Sequence, residues 1–327
     1  MSVVNLSHST NSLTYSCPAS CDDGLSKMLD QALNDPANRF LSQTGKRVRT
    51  AIVNESYRAA GGQGDAPAKI AEAIELLHAG SLIVDDIEDD SAMRRGQATL
   101  HREVGIPIAL NIGNWMYFRS LEHLSEVDLS RKNKSAILAR VVHTIRRCHE
   151  GQALDLGASV ETVPVHQIYP TAREISRLKT GGLTALSSWL GATTAGADVV
   201  KRKALARFGM AVGMCLQMQN DLAELRRLLD GEQRVDDLRN ARVTWAWGWA
   251  TKLASKTEIQ SLQLQLTNAR GKVGQYQRIA SCLLDLVGDR GDALIASKLQ
   301  REMRLLGEHV ESTQGMRSAL TRLQQKR

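Results

Sequence analysis

The sequence predicts an all-α fold, a single bundle of about ten helices. Aromatic residues make up only 4% of the 327 residues and prolines number only 6, whereas strand-rich folds favour aromatic and β-branched residues. From about Asp22 onward, apolar residues recur mostly at spacings of three and four, which is the period of a helix with one buried face. Because no long Gly/Ser/Pro-rich linker interrupts this stretch, we expect one helical domain over 22–327.

The first 21 residues differ from the rest because they are polar and lack helical periodicity. They have neither the basic start nor the apolar run of a secretory signal, so we expect a disordered tail. No stretch approaches the roughly 20 apolar residues of a membrane span, and we expect no transmembrane segment. The 5 cysteines lack metal-ligand spacing, which favours reduced thiols and a cytoplasmic location.

The overall charge predicts an anionic partner. The formal net charge is +7 and the pI is about 9.3. Nucleic acid, membrane headgroups and diphosphates would all satisfy such a charge, so the motifs must choose among them.

Two predicted helices carry the most informative acidic residues. The helix predicted from Ala68 to Ile83 runs directly into the acidic cluster 85–90. A second helix, predicted from Ala204 to Leu229, contains Asn220 and Asp221 after an apolar segment. Negative charge at the C-terminal end of a helix costs stability, which a bound cation restores. The first cluster therefore favours a metal ion over a solvated turn.

The first cluster is followed at once by two arginines. Asp85 and Asp89 are four residues apart, so their carboxylates share one helical face, with Asp86 beside them. Such oxygen ligands suit Mg²⁺ that carries a diphosphate. Arg94 and Arg95 add guanidinium groups, which grip phosphate oxygens. We therefore expect a magnesium-bound diphosphate and no nucleic acid partner.

Five motifs, in order along the chain, resemble those of the trans-isoprenyl diphosphate synthases. The first resembles GKRxRP but ends in Thr50 where that family has Pro. The second is similar to the first aspartate-rich motif, and the third to RRGxPTxH. The five segments are 45–49, 75–89, 94–101, 151–156 and 169–183.

This resemblance implies an isoprenoid synthase fold with helices around a central cavity, a homodimer, and two or three Mg²⁺ ions held by two aspartate motifs. It implies a prenyltransferase that condenses an allylic diphosphate with isopentenyl diphosphate. The implied isopentenyl diphosphate ligands are Lys46, Arg49, His78 and Arg95. The implied allylic diphosphate ligands are Arg94, Lys179 and Arg242. The implied catalytic residues are Lys179, Thr180 and Gln217. The implied metal ligands are Asp85, Asp86, Asp89, Asn220, Asp221 and Glu224.

The second aspartate motif departs from the DDxxD pattern of the resembled family. Asn220 loses a charge and Glu224 is longer by one methylene, so a metal there should bind more weakly. Arg242 is a later cation that could replace a lysine of that family, and Asn114 stands where an aspartate is usual.

These departures leave two alternatives to chain elongation. One is a class I terpene cyclase-like enzyme, whose second metal motif also begins with Asn or Asp, but a cyclase has no isopentenyl diphosphate to bind. The other is a non-catalytic partner subunit of a prenyl synthase, which would tolerate altered ligands. The complete isopentenyl-binding set argues against the first alternative, and the intact first motif argues against the second.

Small residues one helical turn before Asp85 predict the product length. Gly80 and Ser81 would let a growing chain pass. Trp115, with Tyr117 and Phe118, is a candidate for a deeper floor, although ordinary core packing explains these aromatics equally well. We therefore expect geranylgeranyl diphosphate as the main product, with a longer product as the second choice.

Overall fold

The computed structural model of the chain describes residues 23–43, 47–232 and 236–325, and it confirms the all-α fold. The helices are α1 Asp23–Leu29, α2 Asp35–Ser42, α3 Val48–Ala59, α4 Ala68–Glu88, α5 Leu100–Val104, α6 Ile106–Ser125, α7 Arg131–Gly157 and α8 Val165–Ser176. They continue with α9 Gly182–Thr194, α10 Val199–Leu229, α11 Asp236–Arg239, α12 Trp245–Leu253, α13 Lys256–Asn268, α14 Val273–Gly307 and α15 Gln314–Gln325.

Short segments divide the chain more finely than about ten helices. A π-helical turn, Asp30–Asn34, links α1 to α2, and a second, Arg177–Gly181, links α8 to α9. The helices α5 and α11 are each little more than one turn long. None of the helices within the described ranges is long and apolar enough to cross a bilayer.

The described chain groups into two compact units. The first unit comprises the described part of Met1–Lys46 together with Ala79–Phe118. The second comprises Arg47–His78 and the described part of Arg119–Arg327. The predicted disordered tail lies outside the described residues, and the single-domain organisation of 22–327 stays a prediction.

Both helices that carry acidic residues form as expected, with longer bounds. In α4 the helical hydrogen bonds continue past Ile83, and the backbone N–H of Asp89 still donates to the carbonyl of Asp85 at 2.9 Å. The start of α10 moves five residues earlier than predicted. Its N-cap is Asp198, whose carboxylate accepts the backbone N–H of Lys201 at 2.8 Å and satisfies one donor of the first turn.

A two-stranded hairpin in the first unit was not predicted. Strand β1, Met93–Arg94, pairs antiparallel with β2, Gln97–Ala98. The two turn residues, Arg95 and Gly96, have φ values of 53° and 79°, as type I′ turns require. Gly96 adopts this conformation without steric cost, whereas Arg95 is a non-glycine residue in the left-handed region.

In the second unit, α3 and α9 approach each other closely through a glycine. A Cβ atom at Gly191 would lie 2.2 Å from the carbonyl oxygen of Val53 and 3.0 Å from the backbone nitrogen of Tyr57. Both of these atoms belong to the backbone of α3, so they cannot move aside as a flexible side chain could. The absence of a side chain at position 191 therefore determines how near the two helices lie.

We expect Gly191→Ala to lower the free energy of unfolding by roughly 3 kcal/mol, because overpacking a helix contact forces the backbones apart. Chemical denaturation measures this change. The matched control is Gly274→Ala near the start of α14, where a Cβ would meet nothing within 4 Å. That variant should gain up to about 1 kcal/mol from the better helix former. Equal stability of the two variants would contradict this account of the α3–α9 contact.

Candidate functional site

The first acidic cluster lies at the C-terminal end of α4, in the first unit. Asp86 is only 1% exposed, and its Oδ2 accepts a hydrogen bond from Nε of Arg94 at 2.6 Å. Nη2 of the same arginine lies 3.9 Å from Oδ2 of Asp85. Because Arg94 is on strand β1, the hairpin brings this guanidinium to the carboxylates. Removing one partner of such a buried pair typically costs about 3–5 kcal/mol.

The donor chemistry of this cluster fits a hard divalent cation. Asp85, Asp86 and Asp89 supply carboxylate oxygens, which Mg²⁺ and Ca²⁺ prefer. Within the described ranges, however, no three His, Cys, Asp or Glu side chains are gathered closely enough to hold a metal ion. Arg94 lies beside Asp85 and Asp86 and pairs with both. Metal binding at this cluster therefore requires the carboxylates to turn toward a common point.

Asp221, on α10 in the second unit, ends a chain of hydrogen bonds. Its Oδ1 accepts a hydrogen from Nε2 of Gln217, and its Oδ2 accepts the backbone N–H of Trp245, both at 2.8 Å. Oε1 of Gln217 in turn accepts the hydroxyl hydrogen of Thr180 at 2.8 Å. The predicted catalytic residues Thr180 and Gln217 are thus hydrogen-bonded to each other, and Gln217 links Thr180 to Asp221.

The burial of Asp221 changes its acidity. Burial is the largest cause of a rise in the pKa of this carboxyl to about 7, and the negative charges of Glu224 and Asp155 contribute to that rise. The hydrogen bonds from Trp245 and Gln217 act in the opposite direction but do not outweigh burial. Asp221 therefore exchanges a proton near neutral pH.

Asp155 on α7 holds two cations in this neighbourhood. Its carboxylate is paired with Nζ of Lys179, and its backbone carbonyl accepts a hydrogen bond from Nη1 of Arg242 at 2.7 Å. A small cavity of about 40 Å³ is lined by groups of both charges. The charged residues that line it are Asp155, Lys179, Asp221, Asp237 and Arg242.

The two altered residues of the second motif, Asn220 and Glu224, lie in different surroundings. Asn220 is exposed on α10. Glu224 is half-buried, and its Oε1 accepts the backbone N–H of Asp237 at 2.8 Å. Asp221 and Glu224 are therefore both engaged by backbone donors from the segment that follows α10.

The residues expected to bind isopentenyl diphosphate are distributed over both units. Arg49, in the first turn of α3, and His78, in α4, belong to the second unit and are half-buried. Arg95 is exposed on the hairpin turn of the first unit. Lys46 lies outside the described residues. Their role as one isopentenyl diphosphate site stays a prediction.

The start of α3 explains why Thr50 can replace the proline of the resembled motif. Its backbone N–H and its hydroxyl both donate to Oε1 of Glu75, at 3.2 and 2.7 Å. A proline could make neither bond. These bonds tie α3 to α4 one residue after Arg49.

The half-buried thiol of Cys148 lies close enough to Arg49 to be affected by its charge. Burial raises the pKa of Cys148 to about 11, and the positive charges of Arg49 and Lys179 partly offset that rise. Both cations are therefore near the same thiol, in the second unit. Arg49, expected at one diphosphate, thus lies in the neighbourhood of Lys179, expected at the other.

The residues expected to set product length lie in the first unit. Ser81 and Trp115 are half-buried. A Cβ at Gly80 would lie 2.7 Å from the carbonyl oxygen of Gly113, so close packing of α4 on α6 already requires glycine there. Phe118 is 72% exposed and is therefore not part of the core of the single chain. The chain-length roles of Gly80, Ser81 and Trp115 stay predictions.

Three contributors to the site were absent from the predicted set of site residues. Asp155 belongs to the fourth motif, and that motif was the signal that could have identified it. Asp237 and Trp245 contribute backbone N–H groups, which every residue except proline possesses. No sequence pattern distinguishes such donors, because only the path of the folded chain brings them to a carboxylate.

Comparisons with known proteins identify the family of the chain. The chain matches the polyprenyl synthetase family over residues 30–283. It is 30% identical over 203 residues to a short chain isoprenyl diphosphate synthase of Methanothermobacter thermautotrophicus. The aligned region covers 62% of this chain and 61% of the relative. The chain is also 30% identical over 214 residues to heptaprenyl diphosphate synthase component 2 of Geobacillus stearothermophilus, which covers 65% and 64% of the two chains.

A solved structure extends the comparison to more of the chain. The geranylgeranyl pyrophosphate synthetase of Pyrococcus horikoshii superposes with a TM-score of 0.70 at 27% identity, and the match covers 85% of this chain and 84% of that one. The curated relatives are matched over less of their length, since three of them are covered to 61%, 58% and 60%.

We expect Asp221→Asn to make the stability of the metal-free protein less dependent on pH. Because the folded pKa of Asp221 is raised to about 7, the wild-type protein loses stability as pH rises from about 4 to 7, by up to about 1.4 kcal/mol per pH unit. The asparagine variant lacks this titration, so its stability relative to wild type should rise over that range and level off above it. Denaturant melts in EDTA at several pH values measure the difference, and a constant difference would contradict the raised pKa.

Proposed function

The chain belongs to the polyprenyl synthetase family, and from this premise we propose that it is a trans-prenyltransferase that condenses an allylic diphosphate with isopentenyl diphosphate. The observation that carries the proposal is the arrangement in the second unit. Lys179 contacts the carboxylate of Asp155 and Arg242 contacts its backbone carbonyl. Lys179 is followed directly by Thr180, which is hydrogen-bonded through Gln217 to Asp221. Cations for a departing diphosphate thus lie beside oxygens for a developing carbocation.

The proposed reaction begins with loss of diphosphate from the allylic substrate. Arg94, Lys179 and Arg242 would hold the diphosphate as its C–O bond breaks, since fixed cations stabilise the charge that develops on the leaving group. Lys179 already has an anionic partner in Asp155, so a phosphate oxygen would replace a carboxylate oxygen at an ammonium that is already positioned.

The carbocation requires an environment that stabilises it without attacking it. Because the hydroxyl hydrogen of Thr180 is donated to Gln217, the oxygen lone pairs of Thr180 are free to face positive charge. The double bond of isopentenyl diphosphate then attacks the cation to form the new C–C bond, and the released diphosphate takes the proton. Lys46, Arg49, His78 and Arg95 would position that second substrate by its own diphosphate.

The cofactor we propose is Mg²⁺, held chiefly by Asp85, Asp86 and Asp89. Their oxygen donors fit this ion. When bound, it supplies positive charge that neutralises the leaving diphosphate. The remaining electrostatic stabilisation comes from the cationic side chains named above.

We propose a homodimer with a cytoplasmic location. An apolar face of α6 supports the dimer, since Ile106, Leu110 and Phe118 are exposed on the single chain at helical spacing. A second copy of the same chain would cover this face, and the mass of the protein in solution measures the oligomeric state. The cytoplasmic location stays a prediction.

The test of the proposed function is one set of incubations with Mg²⁺. Purified protein receives isopentenyl diphosphate with allylic partners of two, three or four isoprene units, and mass spectrometry identifies the products before and after dephosphorylation. We expect elongation mainly to geranylgeranyl diphosphate. A terpene hydrocarbon formed without isopentenyl diphosphate would instead identify a cyclase. No turnover with any partner would favour the non-catalytic subunit.

We expect Lys179→Gln to lower kcat about 10²–10³-fold, the usual cost of removing one group that stabilises charge in the transition state. Steady-state kinetics with the allylic substrate varied measure this effect. The matched control is Lys203→Gln, an exposed lysine of α10, which should retain wild-type kinetics. Equal rates for the two variants would contradict the role of Lys179.

We expect Ser81→Phe to shorten the product from twenty to fifteen carbons, because a bulky ring one turn before Asp85 would block the growing chain. Mass spectrometry of the dephosphorylated products measures their length. The control is Ser125→Phe at the exposed end of α6, which makes the same substitution away from the proposed path. An unchanged product from Ser81→Phe would exclude that path.

A further inference from the structure

The second acidic motif, Asn220 to Glu224, has a different geometry from that expected of a metal site. Asn220 is neutral and exposed, and each oxygen of the buried Asp221 already accepts a hydrogen bond from a protein donor. Oε1 of Glu224 likewise accepts the backbone N–H of Asp237. The residues of this motif therefore do not fit a metal in this arrangement.

Both acids accept a backbone N–H from one segment of the chain, residues 236–245. Glu224 accepts the N–H of Asp237 near the start of the segment, and Asp221 accepts the N–H of Trp245 at its end. The indole N–H of Trp245 also donates to Oγ of Ser176 at 2.6 Å, which restrains the side chain at that end of the segment. Both acids of α10 thus accept hydrogen bonds from backbone N–H groups, and these hydrogen bonds restrain the path of the segment.

Between these two points the segment carries Arg242. Its guanidinium reaches the carbonyl of Asp155, and the carbonyl of Ala241 accepts the backbone N–H of Val160 at 2.8 Å. Ala241 has a φ of 48°, a left-handed conformation that a non-glycine residue adopts at a cost and that neighbouring contacts must maintain. The segment is therefore fastened on both sides of the arginine.

We propose that the second motif of this chain is a clamp, in which Asp221 and Glu224 hold segment 236–245 so that Arg242 lies beside Asp155 and Lys179, and that it holds no metal ion of its own. This proposal depends on the proposed function in one respect only, namely that Arg242 binds an allylic diphosphate. Asp221 and Glu224 act in it as positioning residues. Metal binding is left to the first motif.

The number of bound Mn²⁺ ions tests whether the second motif holds a metal ion. The full-length protein is titrated with Mn²⁺, and electron paramagnetic resonance measures the free ion. Asp221→Asn and Glu224→Gln should bind as many ions as wild type, because an amide oxygen still accepts the backbone N–H of Trp245 or Asp237. The double substitution Asn220→Asp with Glu224→Asp, which restores the usual motif, should bind one ion more. Loss of an ion in Asp221→Asn or Glu224→Gln would overturn the proposal.

The same titration separates this proposal from the proposed function. Asp85→Asn should bind fewer ions than wild type, since that residue belongs to the first motif. If Asp85→Asn binds the full number while Asp221→Asn loses an ion, the assignment of metal to the first motif and the clamp both fail. If neither variant loses an ion, the clamp stands and only the first-motif site is refuted.

Backbone hydrogen exchange tests whether Glu224 holds segment 236–245 in place. Glu224→Ala should accelerate exchange in peptides spanning 236–240 about tenfold, because the N–H of Asp237 loses its acceptor. Glu224→Gln should restore slow exchange, since its carbonyl oxygen can accept the same hydrogen. Asn220→Ala, on the same turn of α10 but exposed, is the matched control and should exchange as wild type does. Wild-type exchange in Glu224→Ala would overturn the clamp.

A kinetic coupling distinguishes positioning from general stability. Glu224→Ala should lower kcat/KM for the allylic substrate at least tenfold in the wild-type background and have little effect in an Arg242→Gln background, because the clamp acts through that arginine. Independent, additive losses in the double variant would show that Glu224 does not act through Arg242.

Discussion

The buried carboxylate of Asp221 is the constraint on which the site in the second unit depends. A carboxylate away from water is costly unless donors surround it, and here one donor comes from its own helix and the other from a later helix. Gln217 is one turn away on α10, whereas Trp245 begins α12. Because Gln217 also receives the hydroxyl of Thr180, the π-helical turn before α9, the helix α10 and the start of α12 are joined at one group.

Charge compensation follows the same logic in both units. Asp86 is almost completely buried and is paired with Arg94, and Asp155 is paired with Lys179. In each pair a helix supplies the acid, while the cation comes from a hairpin or from a π-helical turn. A phosphate that replaces the carboxylate at such a cation meets a donor group that is already oriented, and this lowers the entropy cost of binding.

The site was only partly predictable from sequence, and particular residues show why. Lys179, Thr180, Gln217, Asp221 and Arg242 were each predicted as site residues, and the structure places these five in one neighbourhood. The contacts of Glu224 were not predictable, because its partner is a backbone N–H thirteen residues away. Gly80 is small at least in part because α6 packs against it, a requirement that a pattern of small residues before an acidic cluster does not reveal.

The sequence by itself determined the all-α fold, the positions of α4 and α10, and the membership of the chain in its family, because helical periodicity and ordered motifs are local properties of the chain. Only the tertiary structure decided which atoms the carboxylates of Asp221 and Glu224 contact. A carboxylate four residues from another has the same spacing whether it faces a metal ion or a backbone donor. The path of residues 236–245 over α10 brought the N–H groups of Asp237 and Trp245 to Glu224 and Asp221, and that path depends on contacts distant in sequence.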